Sequence, residues 1–205
     1  MRDLTRERYY EDRAPVYDAT SYRGDPRINA GLDRETAEIG ARLTALSVGR
    51  VLEVGCGTAV WTQFLRGVVV AMDQSSAMLE IARTRVPEAM LIRALVPPMP
   101  FVDDSFDRVF TANFYGLLRA PERALFLADV SRVARELIVV DLRSDDDAAM
   151  EGIEERSIGT DVTYRIFRRR FTPRSLCDEL GGELIYSGRY FLAVQVMLAP
   201  AASPP

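Results

Sequence analysis

The sequence predicts an α/β fold: a mostly parallel sheet with helices on both faces. Three observations predict it. Apolar runs recur without polar alternation, as strands buried on both faces read. Segments of helical periodicity separate them. One run, Val51-Leu52-Glu53-Val54, enters the glycine-rich turn Gly55-Cys56-Gly57-Thr58-Ala59, and the next, Val68-Val69-Val70-Ala71-Met72, ends in Asp73. A strand entering a glycine turn, with an acid closing the following strand, is the layout of a nucleotide-type cofactor site, where the ligand must approach backbone closely.

The elements follow in order. Tyr9, Tyr10, Tyr17 and Tyr22 crowd the N-terminal region. A short helix is expected over 5–13, broken by Pro15, and Asp25-Pro26 marks a turn. Ile28, Leu32, Ile39, Leu43 and Leu46 then recur at helical spacing. They predict one amphipathic helix over 27–46, with Glu38 and Arg42 as an i,i+4 pair. Strands are expected at 50–54, 68–73, 89–92, 108–112 and 137–141. The helices between them run over about 60–65, from a Ser75 or Ser76 cap to 85, and from Pro121, a first-turn residue, to 133. Asp145-Asp146-Asp147 reads as a helix start; three consecutive acids do not converge on a metal. Residues 163–171 predict an exposed strand whose Arg165, Arg168, Arg169 and Arg170 form a solvated face, with recognition of an acidic group as the alternative. Thr172-Pro173 opens a helix to about 180, Gly181-Gly182 stops it, and strands at 183–187 and 190–198 complete a sheet of seven.

At 205 residues the chain is expected to be a single domain over 1–198, with a helical lid (1–46), a cofactor-binding core (47–141) and a substrate-side segment with the edge hairpin (142–198); 199–205 reads as a disordered tail. A net charge of −4 argues against a general nucleic-acid grip. All 26 basic residues are arginine, and histidine is absent, which removes the usual general base near neutral pH. Cys56 and Cys177 suggest neither a disulfide framework nor a zinc site. The N-terminus is charged and no apolar run reaches membrane-spanning length, so a cytoplasmic protein without a membrane partner is expected.

Two further segments are Asp73-Gln74-Ser75-Ser76-Ala77-Met78-Leu79 and Met99-Pro100-Phe101-Val102-Asp103-Asp104-Ser105-Phe106-Asp107-Arg108-Val109. With the glycine turn, they make the chain resemble the class I S-adenosylmethionine-dependent methyltransferases of the small-molecule group, firmly over about 45–141. A dinucleotide site would want a third glycine, and Val60 stands there. Glu53 would repel a pyrophosphate and suits a cofactor carrying an ammonium and a sulfonium.

The resemblance implies a Rossmann-like sheet whose final hairpin adds an antiparallel strand, and S-adenosylmethionine as cofactor. Gly55, Cys56 and Gly57 would pass beneath its methionyl part with Glu53 nearby. Asp73 would accept from the ribose hydroxyls, and Gln74 and Met78 would flank ribose and adenine. Tyr10 or Tyr17 would cover the methionyl end, and Asn113 and Phe114 would border the cofactor past the fourth strand. Relatives carry Asp-Ala where this chain has Arg93-Ala94. Adenine is therefore expected on backbone groups of Ala94 and Leu95, or stacked on Arg93. The acceptor, a small molecule methylated on N, O, S or C, is expected near Tyr9, Asn113, Tyr115 and Arg143. No metal is implied, and the protein would be a monomer or homodimer. Methylation of a macromolecule, or cofactor binding without transfer, are the rival readings.

Overall fold

A computed structural model describes residues 4–20, 26–159 and 162–198. The elements are α1 (Leu4–Arg13), α2 (Tyr17–Thr20), α3 (Pro26–Thr44), β1 (Gly49–Val54), β2 (Gly67–Asp73), α4 (Ser76–Arg85), β3 (Met90–Arg93), β4 (Arg108–Ala112), α5 (Ala120–Val133), β5 (Glu136–Leu142), β6 (Met150–Ile158), β7 (Val162–Arg170), α6 (Pro173–Leu180), β8 (Glu183–Ser187) and β9 (Phe191–Met197).

The main sheet has seven strands in the order β3-β2-β1-β4-β5-β9-β8. The pairs from β3 across to β5 are parallel, and β9 runs antiparallel to both of its neighbours. This is the expected Rossmann-like architecture with an antiparallel C-terminal hairpin. The order turns back at β1/β4, because β2 and β3 build outward on one side and β4 and β5 on the other. Ligands bind at such a switch point, beyond the carboxyl ends of the strands.

The two-residue period of a strand divides the core into two layers. Leu52, Val54, Val109, Leu137 and Val139 face Phe126 and Val130 of α5 and Leu176 of α6. Val51, Phe110, Ile138 and Val140 face Leu32, Ile39 and Leu43 of α3 and Trp61. β4 and β5 are buried along their whole lengths, which is why they read as unbroken apolar runs. Helix ends follow local chemistry. The Ser75 hydroxyl accepts from the Met78 N–H at 3.1 Å, and the Glu122 carboxylate accepts from the Arg119 N–H at 2.7 Å. Thr172 caps α6, and Gly181 ends it in the left-handed region, at φ 66°.

Four expectations are corrected. The helix expected over 60–65 is a single 3-10 turn, Thr62–Phe64. Gly55, Gly57 and Ala59 all take left-handed backbone conformations, leaving too little chain before β2 for a longer helix. Asp145-Asp146-Asp147 starts no helix; bends lead directly into β6, which pairs with β7 as a separate two-stranded ribbon. Arg42 does not pair with Glu38. Arg34 does, at 3.7 Å, while the Tyr186 hydroxyl donates to Glu38 and Arg42 lies over the Tyr186 ring. Finally, the arginines of β7 are not one solvated face. Arg168 is 3% exposed and reaches Asp141 at 3.3 Å, whereas Arg169 and Arg170 pair with Glu151 and Glu154. The expected tail, 199–205, lies outside the described residues.

Candidate active site

The glycine turn is built around Asp73. The Gly55 and Cys56 N–H groups donate to the Met72 carbonyl at 2.8 and 2.9 Å, which folds the end of β1 over β2. Gly57 donates to Asp73 Oδ2 at 2.8 Å, and Ser75 donates to Asp73 Oδ1 at 2.9 Å. One carboxylate thus joins the turn to the start of α4, and each oxygen keeps a second lone pair for a ligand. Burial pushes the Asp73 carboxyl above its ordinary value, partly offset by these backbone bonds. Gly55 has φ 73°, and a Cβ there would stand 2.8 Å from the Phe114 ring. Gly57 has φ 54°, and a Cβ there would meet nothing within 4 Å. The turn therefore needs glycine at Gly55 for packing and at both positions for backbone conformation.

Two cavities open against this turn. The first is lined by Met72, Asp73, Gln74, Met78, Ala94 and Val96 at one end, and by Arg6, Tyr10, Tyr17, Phe114 and Leu117 at the other. The second, of about 300 Å³, is walled by α3 residues, Trp61, Phe191 and the turn itself. Tyr17, Gly55, Gly57, Ala112 and Asn113 belong to both walls. Asn113 is held in the left-handed region (φ 57°). Its N–H donates to Val140 at 2.8 Å, its carbonyl accepts from Arg168 at 3.0 Å, and its side-chain Oδ1 is buried without a partner.

The N-terminal helices are fastened to this floor. Asp18 accepts from the Thr58 hydroxyl at 2.7 Å and from Arg85 at 2.6 Å, and Arg85 also donates to the Thr58 carbonyl at 2.6 Å. Glu11 accepts from the Ala77 N–H at the start of α4, at 3.2 Å.

Residues 51–136 match the methyltransferase domain family. That match covers less than half of the chain and shows what this segment is similar to. The methyltransferase GfsG of Streptomyces halstedii is 33% identical over 121 residues, covering 54% of this chain and 42% of GfsG. The demethylmenaquinone methyltransferase of a Parafrankia strain is 35% identical over 149 residues, covering 60% of this chain and 58% of the relative. The chain spans about half the length of the curated relatives it matches. The structure of the DhpI–SAH complex superposes with a TM-score of 0.74 over 96% of both chains at 22% identity, a likeness of fold.

In this chain, the expected residues fall into three groups. Gly55, Gly57, Asp73, Gln74, Met78, Ala94, Asn113, Phe114, Tyr10 and Tyr17 come together around the first cavity. Glu53 and Cys56 lie beneath or beside the turn. Glu53 is 1% exposed with Oε2 unpartnered, and burial pushes its carboxyl up to about 8, with Asp73 adding to the rise. Burial and these same acids hold the Cys56 thiol well above its ordinary value.

Tyr9, Tyr115, Arg143, Leu95 and Arg93 line neither cavity. Tyr9 turns inward against Tyr164, and its hydroxyl accepts from Arg13 at 2.6 Å. Tyr115 begins a 3-10 turn that swings its ring onto Phe171, and its hydroxyl donates to Glu179 at 2.8 Å. Arg143 donates to Ser187 and Gly188 in the β8–β9 connection. Leu95 points outward while Val96 takes its place in the wall. Arg93 does not stack over the cavity; it donates to the Gln74 carbonyl at 3.0 Å. The Ala94 N–H, expected for adenine, is spent on the Asp73 carbonyl at 3.0 Å. Sequence reasoning missed Arg6, Val96 and Leu117 in the first wall and Asn29, Trp61 and Phe191 in the second, none of which lies in a recognisable motif.

Among the described residues no helix is long and apolar enough to cross a membrane, and no three His, Cys, Asp or Glu side chains cluster as a metal site would require.

Proposed function

We propose that this protein transfers a methyl group from S-adenosylmethionine to a small-molecule acceptor, within one domain over 1–198 whose segment 1–46 covers the site. The observation that carries the reading is the meeting of two cavities at Gly55, Gly57, Tyr17, Ala112 and Asn113. The residues fit the cofactor. Asp73 offers its remaining lone pairs where a ribose would lie, Met78 and Val96 make apolar walls for a flat base, and Gly57 leaves open space above the turn. When bound, the cofactor supplies an electrophilic methyl group on a sulfonium.

The chain's own residues then align and enclose. Tyr17 and Asn113, shared by both walls, border the place where acceptor and donor meet. Such positioning supplies most of what an in-line displacement on an activated methyl needs. The second cavity reaches the size of ordinary small-ligand sites. The small-molecule acceptor is further supported by relatives named as a demethylmenaquinone methyltransferase and an O-methyltransferase.

Calorimetric titration with S-adenosylhomocysteine tests the reading. We expect micromolar affinity in the natural protein, no binding of NAD, and a loss of at least ~100-fold in Asp73→Ala, since two charge-assisted ribose bonds are worth about 1.5–3 kcal/mol each. Absence of adenosyl binding by the natural protein overturns the reading.

A further inference from the structure

The second cavity carries more polar information than a methyl-transfer site alone requires. Its wall includes Asn29 of α3 and Asn113 from beyond β4, and the Oδ1 of each is buried without a hydrogen-bond partner. A buried acceptor left unpaired costs roughly 1–3 kcal/mol, so a pair on one cavity wall marks where a ligand donates. The charged lining side chains are Asp18, Asp33 and Arg85. Arg85 is occupied by Asp18 and Thr58, at 2.6 Å each. Three aromatic rings, Tyr17, Trp61 and Phe191, line the same space with Leu32. Unpaired oxygen acceptors and aromatic faces together suit a group that donates N–H bonds and presents an apolar body.

Resting on the methyltransferase reading above, we propose that the acceptor is an amine with an apolar or aromatic body. Its nitrogen donates to Asn29 and Asn113, and its body lies against Trp61 and Phe191. The amine reacts in its neutral form. Its lone pair forms the new C–N bond as the C–S bond breaks, the C–S electron pair stays on sulfur as a thioether, and the ammonium product releases its extra proton to solvent. No side-chain base is needed, in keeping with a chain that contains no histidine.

The test uses the natural protein saturated with S-adenosylhomocysteine and three probes of matched shape: 2-phenylethylamine, 2-phenylethanol and phenylacetate. Binding is followed by calorimetry, and methyl transfer to the amine by radiolabel from S-adenosylmethionine. The expected result is binding of the amine at least tenfold tighter than the alcohol, no binding of phenylacetate, and transfer that rises with pH towards the pKa of the amine. Asn29→Leu should weaken amine binding at least tenfold while S-adenosylhomocysteine affinity and melting temperature stay unchanged. Preference for phenylacetate, or equal binding of all three, overturns the proposal. So does an Asn29→Leu variant that loses affinity for S-adenosylhomocysteine but not for 5′-methylthioadenosine, because Asn29 would then serve the cofactor's own ammonium. Failure of the natural protein to bind S-adenosylhomocysteine at all would instead remove the methyltransferase reading.

Discussion

Glu53 is an ionisable group stored beneath the glycine turn. It lies one residue before the end of β1, on the face packed by α3 and Trp61, where burial leaves the neutral acid favoured up to about pH 8. The sign of the consequence is fixed by linkage. The unfolded chain releases this proton near the ordinary value of 4.5, whereas the folded chain keeps it to about 8. Between those values the folded state binds more protons, so this group's contribution to stability declines as pH rises through that window and is constant above it. Glu53→Gln stays neutral throughout. Relative to the natural protein it should gain stability between pH 6 and 8, by up to about 1.4 kcal/mol per pH unit. Melting curves for both proteins across pH 5–9 check this, and parallel pH profiles would refute it.

At the scale of elements, the inserted ribbon is tied to the sheet by charge. Arg168 of β7 reaches Asp141 at the end of β5 and the carbonyl of Asn113. Asp141 also accepts from the Gly116 N–H at 2.6 Å and the Leu142 N–H at 2.8 Å. Arg168→Met would leave a buried carboxylate without its counter-charge, a loss of about 3–5 kcal/mol. Asp141→Asn combined with Arg168→Met should melt well above the single variant, because the uncompensated charge is gone; equal melting temperatures would show that the pair does not bind the ribbon. The ribbon is also where sequence was least legible. β4 and β5 announced themselves because both faces are buried. β6 is mostly exposed, its residues carry no apolar alternation, and only its pairing with β7 makes it a strand. Val60, Trp61, Phe64 and Leu65 have helical spacing, yet three left-handed residues and the nearness of β2 permit only one turn. Of the candidate site, Gly55, Gly57 and Asp73 meet at one cavity as their pattern led one to expect, because a tight turn and a closing acid prescribe residue types. Tyr9 and Tyr115 were misplaced because their sequence neighbours Tyr10 and Phe114 face the cavity while they turn inward. Asn29 and Arg6 come from helices whose docking no local pattern encodes.

Across the whole molecule, the first cavity is shared between the sheet and the N-terminal helices, since Arg6, Tyr10 and Tyr17 complete walls begun by β1, β2 and β4. Ligand affinity and docking of this segment are then one equilibrium: whatever loosens α1 and α2 must weaken binding, and a ligand that bridges both must hold them down. The fastening is concentrated at Arg85, which joins α4 to Asp18 of α2 and to the turn at Thr58. The Arg85–Asp18 pair is partly exposed, with side chains at 30% and 39%, so solvent screening leaves it at most about 1 kcal/mol. The charge-assisted bond to the Thr58 carbonyl adds about 1.5 kcal/mol. Arg85→Met should therefore weaken S-adenosylhomocysteine by roughly ten- to seventyfold. It should also speed proteolysis within residues 4–20, and in the natural protein the ligand should slow that cleavage. Limited proteolysis with and without S-adenosylhomocysteine measures both. Unchanged cleavage in the variant together with unchanged affinity would mean that the N-terminal helices dock independently of Arg85.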